Sequence, residues 1–266
     1  MLRNAFAYIT RKWPKSLLLF AIILLMGTLS LIGLSMKGAT QKASSESLGS
    51  ITNSFSMQIN RRTNPGTPRG AGNLRGEDIE KISQVEGITS SIKRINAIAD
   101  ILDHEIIETE ETLQNQSPER AKYFKNTLMV TGVNDSSKED KFVSGAYKLV
   151  QGEHLTDKDK NQILMHEDLA KKNGLKVGDK VRLKSNLYDA DNEKGANETV
   201  EVTIKGLFSG KNQAPLTYAQ ELYEDTLISD LDTAAKLYGN TVQTATYEDA
   251  TFFAKGDQDL DQLIEK

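Results

Sequence analysis

The longest apolar run in the chain is SLLLFAIILLMGTLSLIGLSM, residues 16–36, and it holds no charged side chain. As a helix it spans about 30 Å, the thickness of one hydrocarbon core. A helix also satisfies its own backbone polar groups in lipid. The pattern therefore predicts one transmembrane helix over 16–36. Ahead of it, Leu2, Phe6, Ile9 and Trp13 recur at steps of three and four, on a face largely free of Arg3, Asn4, Arg11 and Lys12. Residues 1–15 are expected to form a basic amphipathic helix in the membrane interface, anchored by Phe6, Ile9 and Trp13, with Pro14 bending the chain into the span.

Beyond the span the patterns become short and mixed. Residues 39–57 are rich in Ser and Thr with Leu48, Ile51 and Phe55 at helical spacing, which suggests a stalk continuing the membrane helix. Residues 60–76, NRRTNPGTPRGAGNLRG, read as a loop broken by Gly and Pro. Ile79, Ile82 and Val85 line one face of a predicted helix over 77–86, with Glu77 and Asp78 in its first turn, where acids suit the dipole. Strands are expected at 88–99 and 127–133, with an acidic helix or turn at 103–114 between them. A polar break at 134–141 precedes a mostly β stretch. It has strands at 163–165, 180–184 and 199–207, a short helix at 166–173 capped by Gly174, and a tight turn at Gly178-Asp179. In the last of these strands Val200, Val202 and Ile204 alternate with Glu201, Thr203 and Lys205, the mark of a half-buried strand. The mixed style then returns, with strands at 226–229 and 250–254, a helix at 230–238 stopped by Gly239, and a last helical pattern from Gly256. The predicted fold class is α+β, one transmembrane helix followed by a split αβ lobe into which a mostly β lobe is inserted.

Charge sets the topology. Arg3, Arg11, Lys12 and Lys15 precede the span with no acid among them, which favours a cytoplasmic N-terminus and an extracytoplasmic main domain. A cleaved signal peptide is the competing reading, but its apolar core is shorter, about 7–15 residues, and GATQKA makes a poor cleavage site. Four of the 33 basic residues and none of the 37 acidic ones lie in 1–36, so acids exceed bases by eight beyond it. That balance argues against nucleic acid as a partner. With no cysteine the outer part folds without disulfides, and thiol catalysis and thiolate metal sites are excluded.

Local chemistry for an enzyme is missing. His104, His154 and His166 form no HExxH arrangement, and there is no GxSxG elbow or Walker loop. DADNE at 189–193 lacks the Gly and the terminal Glu of a calcium loop. Asn197-Glu198-Thr199 matches a glycosylation sequon, a pattern common by chance. No catalytic residue, metal site or cofactor is expected. Arg61, Arg62, Arg69 and Arg75 lie in or beside the loop at 60–76 without an acid among them, and are the candidate contacts for lipid headgroups or another anionic ligand, set against a simple solvated loop.

The basic leader, the single span, and the wording QGEHLTDKDKNQILMHEDLAKKNGLKVGDKVRL at 151–183 resemble the MacB-like permeases of ABC transporters, the FtsX-type group. AFAYITRK, ITNSFSMQINRR, GTPRGAGN and RGEDIEKI resemble its Vex-type members. The resemblance implies an outer domain divided into a porter-like lobe over 37–126 and 236–266 and an inserted sabre-like lobe over 127–235. It also implies a cytoplasmic ABC ATPase subunit as partner, a second permease subunit, contact with membrane lipid, and a role in export or mechanotransmission. Such permeases carry four spanning helices; one is present here, so a fragment or a truncated gene is expected. The alternative is a single-span, membrane-anchored extracytoplasmic binding or sensory protein that functions as it stands.

Overall fold

A computed structural model describes residues 14, 24, 26, 28, 53–58, 74–115, 117–212 and 221–255. The chain divides into two units, Met1–Asn53 and Ser54–Lys266. In the first, Pro14, Leu24, Met26 and Thr28 are helical; the rest of the span at 16–36 and the anchor residues Phe6, Ile9 and Trp13 lie outside the described residues. Among the described residues no helix is long and apolar enough to cross a membrane.

The second unit is built on one mixed sheet. Its strands are β1 Ser54–Gln58, β2 Ile88–Leu102, β3 Thr127–Val133, β4 Lys148–Gly152, β5 Gln162–His166, β6 Lys180–Ser185, β7 Thr199–Ser209, β8 Thr226–Asp230 and β9 Asp249–Ala254. The helices are α1 Gly76–Ser83, α2 Glu110–Asn115, α3 Pro118–Tyr123, α4 Asp140–Val143, α5 Glu167–Lys172 and α6 Leu231–Leu237. The strand order is β1-β9-β2-β3-β8-β5-β7-β4, and β6 pairs with both β2 and β7. That double pairing closes β2, β3, β8, β5, β7 and β6 into a ring. β3–β8 and β5–β7 are parallel, the other pairs antiparallel.

Period-two alternation fills the ring. Ala97, Ala99 and Ile101 of β2, Leu128 and Val130 of β3, Ile163 and Met165 of β5, Val181 and Leu183 of β6, and Val202 and Ile204 of β7 share one buried cluster. Residues of the opposite parity, Val133, Leu164 and Ile228, join Tyr147, Leu155 and Phe208 in a second cluster on the outer face. β8, covered on both faces, is buried throughout. A third cluster, with Ile79, Ile95, Ala234, Ala235 and Phe252, lies where α1 and α6 pack beside β2 and β9. Close approach demands glycine where these helices meet the sheet and its loops. A Cβ on Gly76 would overlap the Val242 carbonyl, and one on Gly132 would overlap the Ala234 methyl, so α1 and α6 sit flush on their neighbours.

Most predicted elements occur within a few residues of their expected bounds, and several expectations need correction. Residues 54–57 were expected in a helical stalk and form β1, because Phe55 stacks on Phe252 at 5.2 Å and strand pairing with β9 outweighs a helical spacing of three apolar residues. The helix expected from Glu77 starts at Gly76 and ends at Ser83. β2 runs on to Leu102. Within 103–114 the described helix begins only at Glu110. β4 and α3 had no sequence-based expectation, and the last helical pattern from Gly256 lies outside the described residues.

Candidate functional site

β1 and β9 are antiparallel, with Ser54 opposite Phe253, and β9 pairs with β2 so that Ala254 lies opposite Ile88. The start of β1, the end of β9 and the start of β2 therefore share one pole of the unit. β2 runs from that pole for 15 residues, about 45 Å at the rise of a strand. Its first half pairs with β9 over 88–94, its second half with β3 over 94–100 and with β6 over 99–102. By strand pairing, β2 alone among the described strands joins the pole to the ring. Ladder hydrogen bonds hold both of its halves.

Arg94 stands where β2 changes neighbours, opposite Val133 on one edge and Asp249 on the other. Its guanidinium pairs with Asp140 of α4 and reaches Asp249 at 3.6 Å. Burial works against the Arg94 charge, but Asp249 and Asp140 outweigh it and hold the group above its ordinary range. Burial pushes the Asp249 carboxyl up, helped by Asp140 and Glu139, with Arg94 opposing. One residue earlier, the Lys93 N–H donates to Asn134 Oδ1 and Asn134 Nδ2 donates to the Ser91 carbonyl, both at 2.8 Å. Asn134 thus continues the β3 ladder with a side chain after the strand has ended.

Ser91, Lys93 and Asn134 border an open cleft of about 670 Å³ between α1, β2, the segments at 134–138 and 156–160, and the junction of β8 with α6 at 230–232. Its walls mix charged, polar and apolar residues, and several of the charges are paired. Lys93 reaches Glu80 at 3.4 Å and Lys138 reaches Asp135 at 3.2 Å. Lys205 donates to both oxygens of Asp159, at 2.9 and 2.8 Å, and the Thr156 N–H and hydroxyl donate to the same carboxylate. Burial opposes the Asp159 charge, yet these donors hold its carboxyl below the usual range. Asp230 caps α6 through the Thr233 N–H at 2.9 Å and also accepts from the Gln162 N–H at 2.9 Å.

His166 and His154 serve structure. His166 Nδ1 accepts from the Asp168 N–H at 3.1 Å, capping α5, and Nε2 lies 2.8 Å from the Gly210 carbonyl, so the Nε2–H tautomer satisfies both partners. His154 Nδ1 meets Ser136 Oγ at 2.9 Å, and the same Oγ accepts from the Leu155 N–H at 2.8 Å. Burial lowers the His154 pKa against the pull of Asp135. Ser136 is fully buried, so this pair presents no nucleophile to a substrate. Among the described residues no group of three or more His, Cys, Asp or Glu converges to hold a metal. Of the four candidate arginines, Arg61, Arg62 and Arg69 lie outside the described residues. Arg75 is exposed just before α1, bridges to Thr246 through its backbone, and lines a hollow of about 320 Å³ together with Asp191 and Glu193. Sequence reasoning missed Arg94 and Asn134, since a lone Arg and a lone Asn at a strand end carry no local motif.

A family described as the MacB-like periplasmic core domain matches residues 16–265. No curated protein matches the chain. Among solved structures, the periplasmic region of MacB from Actinobacillus actinomycetemcomitans is 18% identical, with 82% of this chain and 83% of that one covered and a TM-score of 0.45. The extracellular domain of the noncanonic ABC-type transporter YknZ from Gram-positive bacteria is 14% identical, with 80% and 86% covered and a TM-score of 0.39. Both scores are below 0.5, so membership rests on the family match over almost the whole chain. The chain belongs to the MacB-like periplasmic core domain family of ABC transporter permeases.

Proposed function

We propose that this chain belongs to a Vex-type ABC transporter permease subunit whose outer domain moves with the cycle of a cytoplasmic ATPase. A second permease subunit completes the pair, and the output is export or mechanotransmission. The observation that carries the reading is the pole. Chain passages into β1 and out of β9 sit side by side, as a domain slung between membrane segments requires, and β2 offers one continuous path from them into the ring. In this reading residues 1–15 lie in the interface, residues 16–36 span the membrane with the N-terminus inside, and the ring side is the working surface. The porter-like and sabre-like division at 127 and 235 belongs to the same proposal, with the one sheet crossing both ranges. Arg61, Arg62, Arg69 and Arg75 are proposed to contact an anionic headgroup or ligand; changing all four to Gln weakens that binding and leaves folding intact.

The test is affinity capture of the full-length gene product from membranes. Co-purification of a cytoplasmic ABC ATPase supports the proposal. Capture of the permease without any ATPase, together with a stable monomeric outer domain, supports the single-span binding or sensory protein instead.

A further inference from the structure

Residues 103–109 leave the end of β2 and cross one mouth of the ring without joining any strand. Asp103, at φ +60°, turns the chain, and its carboxylate pairs with Arg182 of β6. Side chains hold the rest of the segment. Asn173 Oδ1 accepts from the Glu105 N–H at 2.9 Å and its Nδ2 donates to the Glu105 carbonyl at 2.8 Å. Lys172 Nζ donates to the Ile106 carbonyl at 2.7 Å. The Ile107 N–H donates to Asp225 Oδ1 at 2.7 Å. Ile106, 4% exposed, plugs the ring cluster beneath. Asp225 is 0% exposed and its Oδ2 has no hydrogen-bond partner among the described residues. The charges facing it are Glu108 from the segment, Glu224 from its own turn and Lys172 from α5, which also reaches Glu105 at 3.5 Å.

We propose that residues 103–109 are a proton-controlled strap: Asp225 holds it over the ring mouth while protonated, and loss of that proton favours an open strap with the carboxyl in water and Ile106 uncovered. The physical reason is a carboxyl whose second oxygen has no hydrogen-bond partner among the described residues in the closed form. Burial, with Glu224 and Glu108 adding to it and the Ile107 N–H and Lys172 opposing, pushes the closed-state pKa up to about 8 from the ordinary 3.8. Below about pH 4 the group is protonated whether the strap is open or closed. Between about 4 and 8 opening releases a proton, so the opening constant rises about tenfold per pH unit, and above 8 it levels off. The strap is firmest in acid. This inference is independent of the transporter reading.

Hydrogen exchange of the full chain in detergent micelles tests it, reading the protection factor of the Ile107 amide against that of Leu164 in the ring. The expected result is a fall of about a hundredfold at Ile107 between pH 5 and pH 7, with Leu164 unchanged, and no fall in Asp225→Asn. Should that variant not fold, Glu108→Gln, an exposed substitution, lowers the closed-state pKa and makes the fall level off at lower pH. Equal wild-type protection at both pH values, an unchanged fall in Asp225→Asn, or an unmoved curve in Glu108→Gln overturns the proposal.

Discussion

Arg94 shows how one side chain joins three elements. It ties β2 to α4 and β9 through Asp140 and Asp249 in a mostly buried position. Arg94→Met strands the half-buried Asp249, and the expected loss is about 2–3 kcal/mol in urea unfolding. Arg94→Met combined with Asp249→Leu regains most of it, because removing both partners removes the unpaired charge. Asp159 acts in the opposite pH range from Asp225. Its pKa is lowered on folding, so its contribution is complete above about pH 4 and is lost as pH falls below that value through the folded pKa. Between pH 5 and pH 3 the wild-type urea midpoint should drop further than that of Asp159→Asn; equal drops would place the acid sensitivity elsewhere. None of these partnerships was legible in the sequence, because each joins residues far apart in the chain, 46 positions in the case of Lys205 and Asp159.

At the scale of elements, the sequence announced what alternation and caps can announce. β7 and β6 were readable because one face is buried and the other wet, as Val202 and Glu201 illustrate. α6 was readable because Asp230 is a good N-cap and Gly239 a good stop. β1 and β4 were not. Each is five residues long at an end of the strand order, and their exposure patterns lack a clean apolar face. The end of β2 was misread because Asp100 looks like a polar stop. In the fold its carboxylate is satisfied by the Thr127 hydroxyl and by Asn186 Nδ2, so the strand continues through it to Ile101 and Leu102. The glycine contacts make a further expectation. Gly76→Ala sets a methyl against the Val242 carbonyl and should lower stability by about 1–3 kcal/mol. Thermal unfolding checks it, and an unchanged midpoint would mean that α1 shifts freely.

For the whole molecule, the family wording and the basic leader suggested an outer permease domain, while the closed ring could not be inferred. Ring closure depends on β6 reaching both β2 and β7, a long-range choice that no local pattern encodes. The shared pole follows from the same kind of pairing and can be tested chemically. Ser56 and Thr251 face each other across β1 and β9 with their hydroxyls 2.7 Å apart, in a chain that has no native cysteine. Ser56→Cys with Thr251→Cys should oxidise to a disulfide seen by mass, and closing so long a loop should stabilise the domain by about 4–5 kcal/mol. Two thiols persisting under oxidant would contradict the pairing.

The most direct test of the account is where the second unit lies relative to the membrane. Val143, 70% exposed on α4, can be replaced by Cys in an otherwise cysteine-free chain. Intact cells producing Val143→Cys are treated with a membrane-impermeant maleimide. The account predicts labelling in intact cells equal to that after lysis. Labelling that appears only after lysis would put the domain in the cytoplasm and contradict an extracytoplasmic permease domain.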